Sequence, residues 1–172
     1  MIVVESLENK VELRLGKASQ ETIEAATEQG LKVVYSYDYE SPSLPQDITD
    51  MVEEDLMDLY AKYVSYLEFI NVQAWCAKVD AADMAKEVGL EKARKKITMK
   101  EAKKAVAVID SEIEMDPTYR QLVIERDRLE NYHGLVQLIS EKTLKDISFI
   151  NREISRRISA NKATGRLAMF NP

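Results

Sequence analysis

Between Gln46 and Asp116, and again from Thr118 to Asn171, the chain carries no proline. Proline is the residue that most reliably breaks a helix, because it removes an amide donor and clashes with the carbonyl one turn back. Two long helical stretches are therefore permitted, and the apolar pattern asks for them. Ile48, Val52, Leu56, Leu59, Tyr63, Leu67, Ile70, Ala74, Ala77, Ala81, Met84 and Val88 recur by threes and fours, as a helical seam requires. With only five Gly and four Pro in 172 residues, the chain lacks the turn formers of an all-β domain. Pro45 suits a first helical turn, and Asp47, Asp50, Glu53, Glu54 and Asp55 suit the positive end of a helix dipole. A helix over about 47–96 would be about 75 Å long at 1.5 Å per residue. Gly89 is the point at which it would end or bend.

Thr98 and Glu101 have the spacing of a capping box and predict a new helix from 98 to about 112. Asp116 followed by Pro117 predicts another start, an acceptor side chain followed by a residue whose φ is already helical. The seam then resumes at Leu122, Leu129, Tyr132, Val136, Ile139, Ile147, Ile150, Ile154 and Ile158, carrying this helix to about Asn161 through Gly134. Residues 1–44 differ, with β-branched or aromatic runs at Ile2–Val4 and Leu31–Tyr39 and a helical segment from Ser19, a candidate cap, to Gln29. The expected fold is all-α: an elongated antiparallel hairpin of long coiled-coil-like helices over 45–172, with 1–44 as an acidic arm or small appendage. Helix should cover roughly 65 to 75 % of the chain, about twice the globular average. A two-helix hairpin has much surface for its volume, so a homo-oligomer is expected to complete the core.

Net charge −6 hides an asymmetry: residues 1–60 hold 4 basic and 14 acidic side chains, whereas 61–172 hold 20 and 16. Two basic windows stand out. One comprises Lys92, Arg94, Lys95, Lys96, Lys100, Lys103 and Lys104; the other runs from Lys142 through Arg152, Arg156, Arg157 and Arg166. Such windows are anion sites or solvated faces. Aromatics at Tyr60, Tyr63, Tyr66, Phe69 and Trp75 belong to a core, a subunit interface or a stacking platform for unpaired bases. Catalytic signatures are missing: there is no phosphate-binding glycine loop, no H-E-x-x-H and no G-x-S-x-G. One His (His133) and one Cys (Cys76) cannot build a disulfide framework or a Cys/His metal cluster within one chain. No enzyme activity, cofactor or metal is expected, and the absence of a long apolar run predicts a cytoplasmic protein without a membrane partner.

The stretch from Ala74 to Ile147 resembles small phage proteins related to the UvsY-type recombination mediator. The residues that carry the resemblance are Ala74, Trp75, Cys76, Ala77 and Lys78; Thr98, Glu101 and Lys103; Asp116, Pro117 and Tyr119; and Gly134, Leu135, Val136, Lys142 and Ile147. The resemblance implies an all-helical, ring-forming, non-enzymatic protein that binds single-stranded DNA and helps load a recombinase where single-strand-binding protein is present. Within the matched motifs the basic positions are Lys78, Lys103 and Lys142. The alternative expectation is a coiled-coil assembly or adaptor protein, a virion scaffold or an inhibitor of a host system, acting through its acidic N-terminal part.

Overall fold

The computed structural model describes residues 11–34, 36–37, 41–102 and 105–169. The order of elements is β1 (Val11–Glu12), α1 (Lys17–Glu28), β2 (Ser36–Tyr37), a 3₁₀ turn (Ile48–Asp50), α2 (Glu53–Glu101), α3 (Val106–Met115) and α4 (Pro117–Met169). The protein is all-α: helix makes up 83 % of the described structure. β1 and β2 form only a two-residue antiparallel ladder, with Val11 opposite Tyr37. The Ile2–Val4 run lies outside the described residues. By internal packing the chain divides into two units: unit 1 takes the residues up to Leu13, Val34–Asn71 and Leu138 onward, and unit 2 takes Arg14–Val33 and Val72–Gln137.

Unit 1 is built on the first third of α2 and the second half of α4. Leu56 and Tyr63 pack with Ile147 and Ile150, and Ile48 joins this core from the 3₁₀ turn. The two helical segments run antiparallel, since Tyr63 donates its hydroxyl hydrogen to Asp146 at 3.4 Å while Ser140, earlier on α4, donates to Asn71, later on α2, at 2.7 Å. The seam expected to be helical from Ile48 instead starts at Glu53, and Val52 is 64 % exposed. The cause is tertiary: the Arg157 guanidinium donates to the Ile48 and Thr49 carbonyls, both at 3.1 Å, and holds that segment as a separate turn against α4.

In unit 2, Val88 of α2 packs with Ile109 and Ile113 of α3 and Tyr119 of α4, with Met99, Leu122 and Val123 around them. This packing carries α2 past both expected breaks. Gly89 sits in an unbroken helix, and the Thr98 hydroxyl donates back to the Arg94 carbonyl at 3.2 Å instead of capping a new start. Lys96 reaches Asp110 and Lys95 reaches Asp116, each at 2.8 Å, tying the last turns of α2 to α3 and to the start of α4. The expected start at Asp116 is present: the Tyr119 amide donates to its carboxylate at 2.9 Å. α4 continues to Met169, beyond the expected end near Asn161.

α1 begins at Lys17, two residues before the expected cap at Ser19. Gly16 is the N-cap residue and has no side chain to accept the open amides, so α2 supplies one. The Asp80 carboxylate accepts from the Gly16 amide at 2.8 Å, the Ser19 amide at 2.9 Å and the Ser19 hydroxyl at 2.8 Å. The buried Gln73 amide completes the tether, accepting from the Arg14 amide at 2.7 Å and donating to the Arg14 carbonyl at 2.9 Å.

Candidate nucleic-acid interface

The first basic window ends α2 in unit 2, and of its described residues Lys92, Lys95 and Lys96 are engaged in ion pairs. Lys95 lies 3.4 Å from Glu91 and 2.8 Å from Asp116, and Lys96 and Lys92 share Asp110 at 2.8 and 4.0 Å. Hydrogen bonds from Lys96 hold the Asp110 carboxyl below its usual range, as those from Lys95 do for Asp116. Arg94 is largely exposed and 4.0 Å from Glu91. Lys100 is exposed and makes no ion pair among the described residues. Lys103 and Lys104 lie outside the described residues.

The second window lies on α4 in unit 1. Arg157 turns inward, with only 18 % of its side chain exposed, to Glu153 at 2.8 Å and to the 3₁₀ turn. Arg156 forms a two-pronged pair with Glu153, both bonds 2.7 Å, but keeps 61 % of its side chain in solvent. These guanidiniums, Arg156 first, hold the Glu153 carboxyl down to about 2. Lys142, Lys145 and Arg152 are exposed and make no ion pair among the described residues. Arg166 lies in the last turns of α4.

The arrangement of these side chains follows from a second period on α4. Val136, Ser140, Thr143, Ile147 and Ile150 are buried, alternating steps of four and three. Two residues further along, Leu138, Lys142, Lys145, Phe149, Arg152 and Arg156 repeat the same steps, and all six are exposed. Two residues advance a helix by about 200°, so this second row lies on the outward face. Phe149 is 48 % exposed, with Lys145 one turn before it and Arg152 one turn after. Sequence reasoning placed Lys142, Arg152 and Arg156 but missed Lys145, Phe149 and Leu138. The signal was the repeat of the seam's own spacing, offset by two.

Tyr63 and Phe69 of the aromatic group on α2 are buried and offer no such face. Tyr63 is core, and Phe69 is buried with its ring 6.1 Å from that of Tyr37, which lies 5.1 Å from Tyr66. Trp75, 43 % exposed, belongs to unit 2. In unit 2 a cleft of about 320 Å³ lies between Arg14, Asp80, Asp83, Glu87, Glu125 and Tyr132. Two of its charged side chains are engaged, Asp80 capping α1 and the Arg14 guanidinium lying 4.8 Å from the centre of the Tyr132 ring. No group of three His, Cys, Asp or Glu among the described residues converges to hold a metal, and His133 is half-buried on α4. No described helix is long and apolar enough to cross a membrane. No family model, curated protein or solved structure matches the chain.

Proposed function

We propose that this is a non-enzymatic, cytoplasmic single-stranded DNA-binding protein, an antiparallel helical hairpin that contacts the strand along the outer face of α4. The observation that carries the reading is Phe149, an exposed ring between Lys145 and Arg152, with Lys142 and Arg156 one turn further out on the same row. Cations set along a helix neutralise phosphates, and an exposed aromatic between them offers a stacking face to any base. Stacking needs an unpaired base, which favours single strands over duplex. Lysines act as point charges on flexible stems, so affinity depends little on base sequence. At the end of α2, Arg94 and Lys100 supply further phosphate contacts, whereas Lys92, Lys95, Lys96 and Arg157 serve the fold. The role in loading a recombinase in the presence of single-strand-binding protein rests on the resemblance to UvsY-type mediators.

The test is fluorescence anisotropy with labelled single- and double-stranded oligonucleotides across a salt series. Each phosphate neutralised on a single strand contributes about 0.7 to the slope of log affinity against log salt, so replacing Lys142, Lys145 and Arg152 with Gln should flatten that slope by up to about 2. Phe149→Ala should cost about 1 to 3 kcal/mol of single-strand affinity and leave the slope unchanged. A triple variant that keeps the wild-type slope refutes the surface. A wild-type chain that binds no strand at low salt refutes the function and leaves the adaptor reading.

A further inference from the structure

The outward face of α2 in unit 1 carries the opposite chemistry to that of α4. Glu54, Asp58, Ala61, Ser65 and Glu68 are all exposed and step along the helix by four, three, four and three. They stand two residues on from, or before, the buried positions Leu56, Tyr63 and Ile70, which turns them away from α4. Read from its C-terminal end, the α4 row Arg156, Arg152, Phe149, Lys145 and Lys142 steps by the same intervals. Set antiparallel, the two rows match position by position. Arg156 meets Glu54, Arg152 meets Asp58, and Lys142 meets Glu68. The one bulky ring, Phe149, falls on the smallest side chain, Ala61, and Lys145 meets Ser65.

We infer that the outer face of α4 is the docking surface for the acidic outer face of α2 from a second copy of this chain. The two faces cannot meet within one copy, because they point away from each other across the shared core of unit 1. The contact is heterologous: each docked copy presents a fresh acidic α2 row at one side and an open α4 row at the other, so it propagates into a closed ring or an open filament. Opposite charges along the row set the antiparallel register, and the ring of Phe149 in the gap over Ala61 supplies the apolar anchor. Under the proposed function the same cations serve phosphates, so the acidic row of a neighbouring copy competes with single-stranded DNA. This competition rests on the DNA reading; the docking does not.

The experiment is light scattering with sedimentation velocity on the full chain, with helix content followed by circular dichroism. Three variants are compared: Glu54→Lys with Asp58→Lys and Glu68→Lys; Lys142→Glu with Arg152→Glu and Arg156→Glu; and Ala61→Trp, which fills the seat without changing charge. Wild type should self-associate, and each variant should weaken association by more than about tenfold while keeping its helix, because like charges or a blocked seat replace matched pairs. An equimolar mixture of the two charge-reversed chains should recover large species, since every contact between unlike chains is again complementary. A monomeric wild type, undiminished association in all three variants, or failure of the mixture to recover overturns the inference. A thymidine oligonucleotide should shift wild type to smaller species. If no oligonucleotide binds while the mixture still rescues assembly, the DNA reading falls and the docking surface stands.

Discussion

Glu153 is buried, with 7 % of its side chain exposed, and two guanidiniums keep it ionised, pulling its carboxyl from an ordinary 4.5 down to about 2. The sign of the consequence comes from proton counting. Between those values the unfolded chain binds a proton that the folded one refuses, so stability is present above about pH 4.5 and drains away as pH falls toward 2. Glu153→Gln should lose that part of the acid dependence, visible as a smaller drop in melting temperature between neutral and acidic buffer. Tyr63 gives the mirror case. Burial first, then Asp146, pushes its hydroxyl from 10.0 up to about 12. The unfolded chain therefore gives up this proton first as pH rises through 10, and stability falls across that interval. Tyr63→Phe should show a flatter alkaline limb in the same melts. Cys76 has no exposed surface, and burial, helped by Asp80, raises its thiol to about 11. A thiol reagent should label it only after unfolding, because the thiolate is the reactive form.

At the scale of elements, the N-terminus of α1 is capped by one carboxylate, that of Asp80. A methyl group at Gly16 would lie 2.5 Å from the carboxyl carbon of Asp80, too close for the cap to survive in place. Gly16→Ala should therefore speed amide hydrogen exchange throughout α1, while the amides around Leu56 and Ile147 keep their protection. Asp80→Ala removes the acceptor of the Gly16 and Ser19 amides and should cost about 1 kcal/mol, as loss of a helix N-cap does. The opposite outcome, unchanged exchange in α1 for both variants, would mean that the Gln73 tether and packing around Ile23 hold the helix without the cap. The continuity of α2 makes a further point about elements: a capping-box spacing at Thr98 is overridden where Val88, Met99 and Lys95 are all held by α3 and α4. Local capping contributes about 0.5 to 2 kcal/mol against a row of buried side chains.

Over the whole molecule, stability should follow burial in each unit. Ile150→Ala in unit 1 and Ile113→Ala in unit 2 each remove a side chain with no exposed surface and should cost about 2 to 5 kcal/mol in denaturant melts. Leu138→Ala, 64 % exposed, should change stability by less than about 0.5 kcal/mol. That contrast separates the two seams of α4: one holds the fold, and the other faces solvent. A Leu138→Ala chain as destabilised as Ile150→Ala would show that the outer row is packed in solution.

Periodicity and proline placement were enough to determine long helices, the start of α4 at Asp116 and Pro117, and burial of Leu56, Tyr63, Ile70, Val136, Ile147 and Ile150. These depend on the 3.6-residue turn and on local capping, which any chain carries within its own sequence. The second row on α4 was equally present in the sequence, but a row of alternating Leu, Lys, Phe and Arg reads as surface until the inner seam is known to be filled. Tertiary structure alone decided which cations are spent. Arg157 and Lys95 look no different in sequence from Arg152 and Lys100, yet the first two are committed to Glu153, two carbonyls and Asp116. It also decided where α1 starts, because its cap lies more than sixty residues away on α2. Hydrogen bonds and ion pairs between distant segments form only when packing brings them within about 3 Å, and no spacing along the chain encodes that distance.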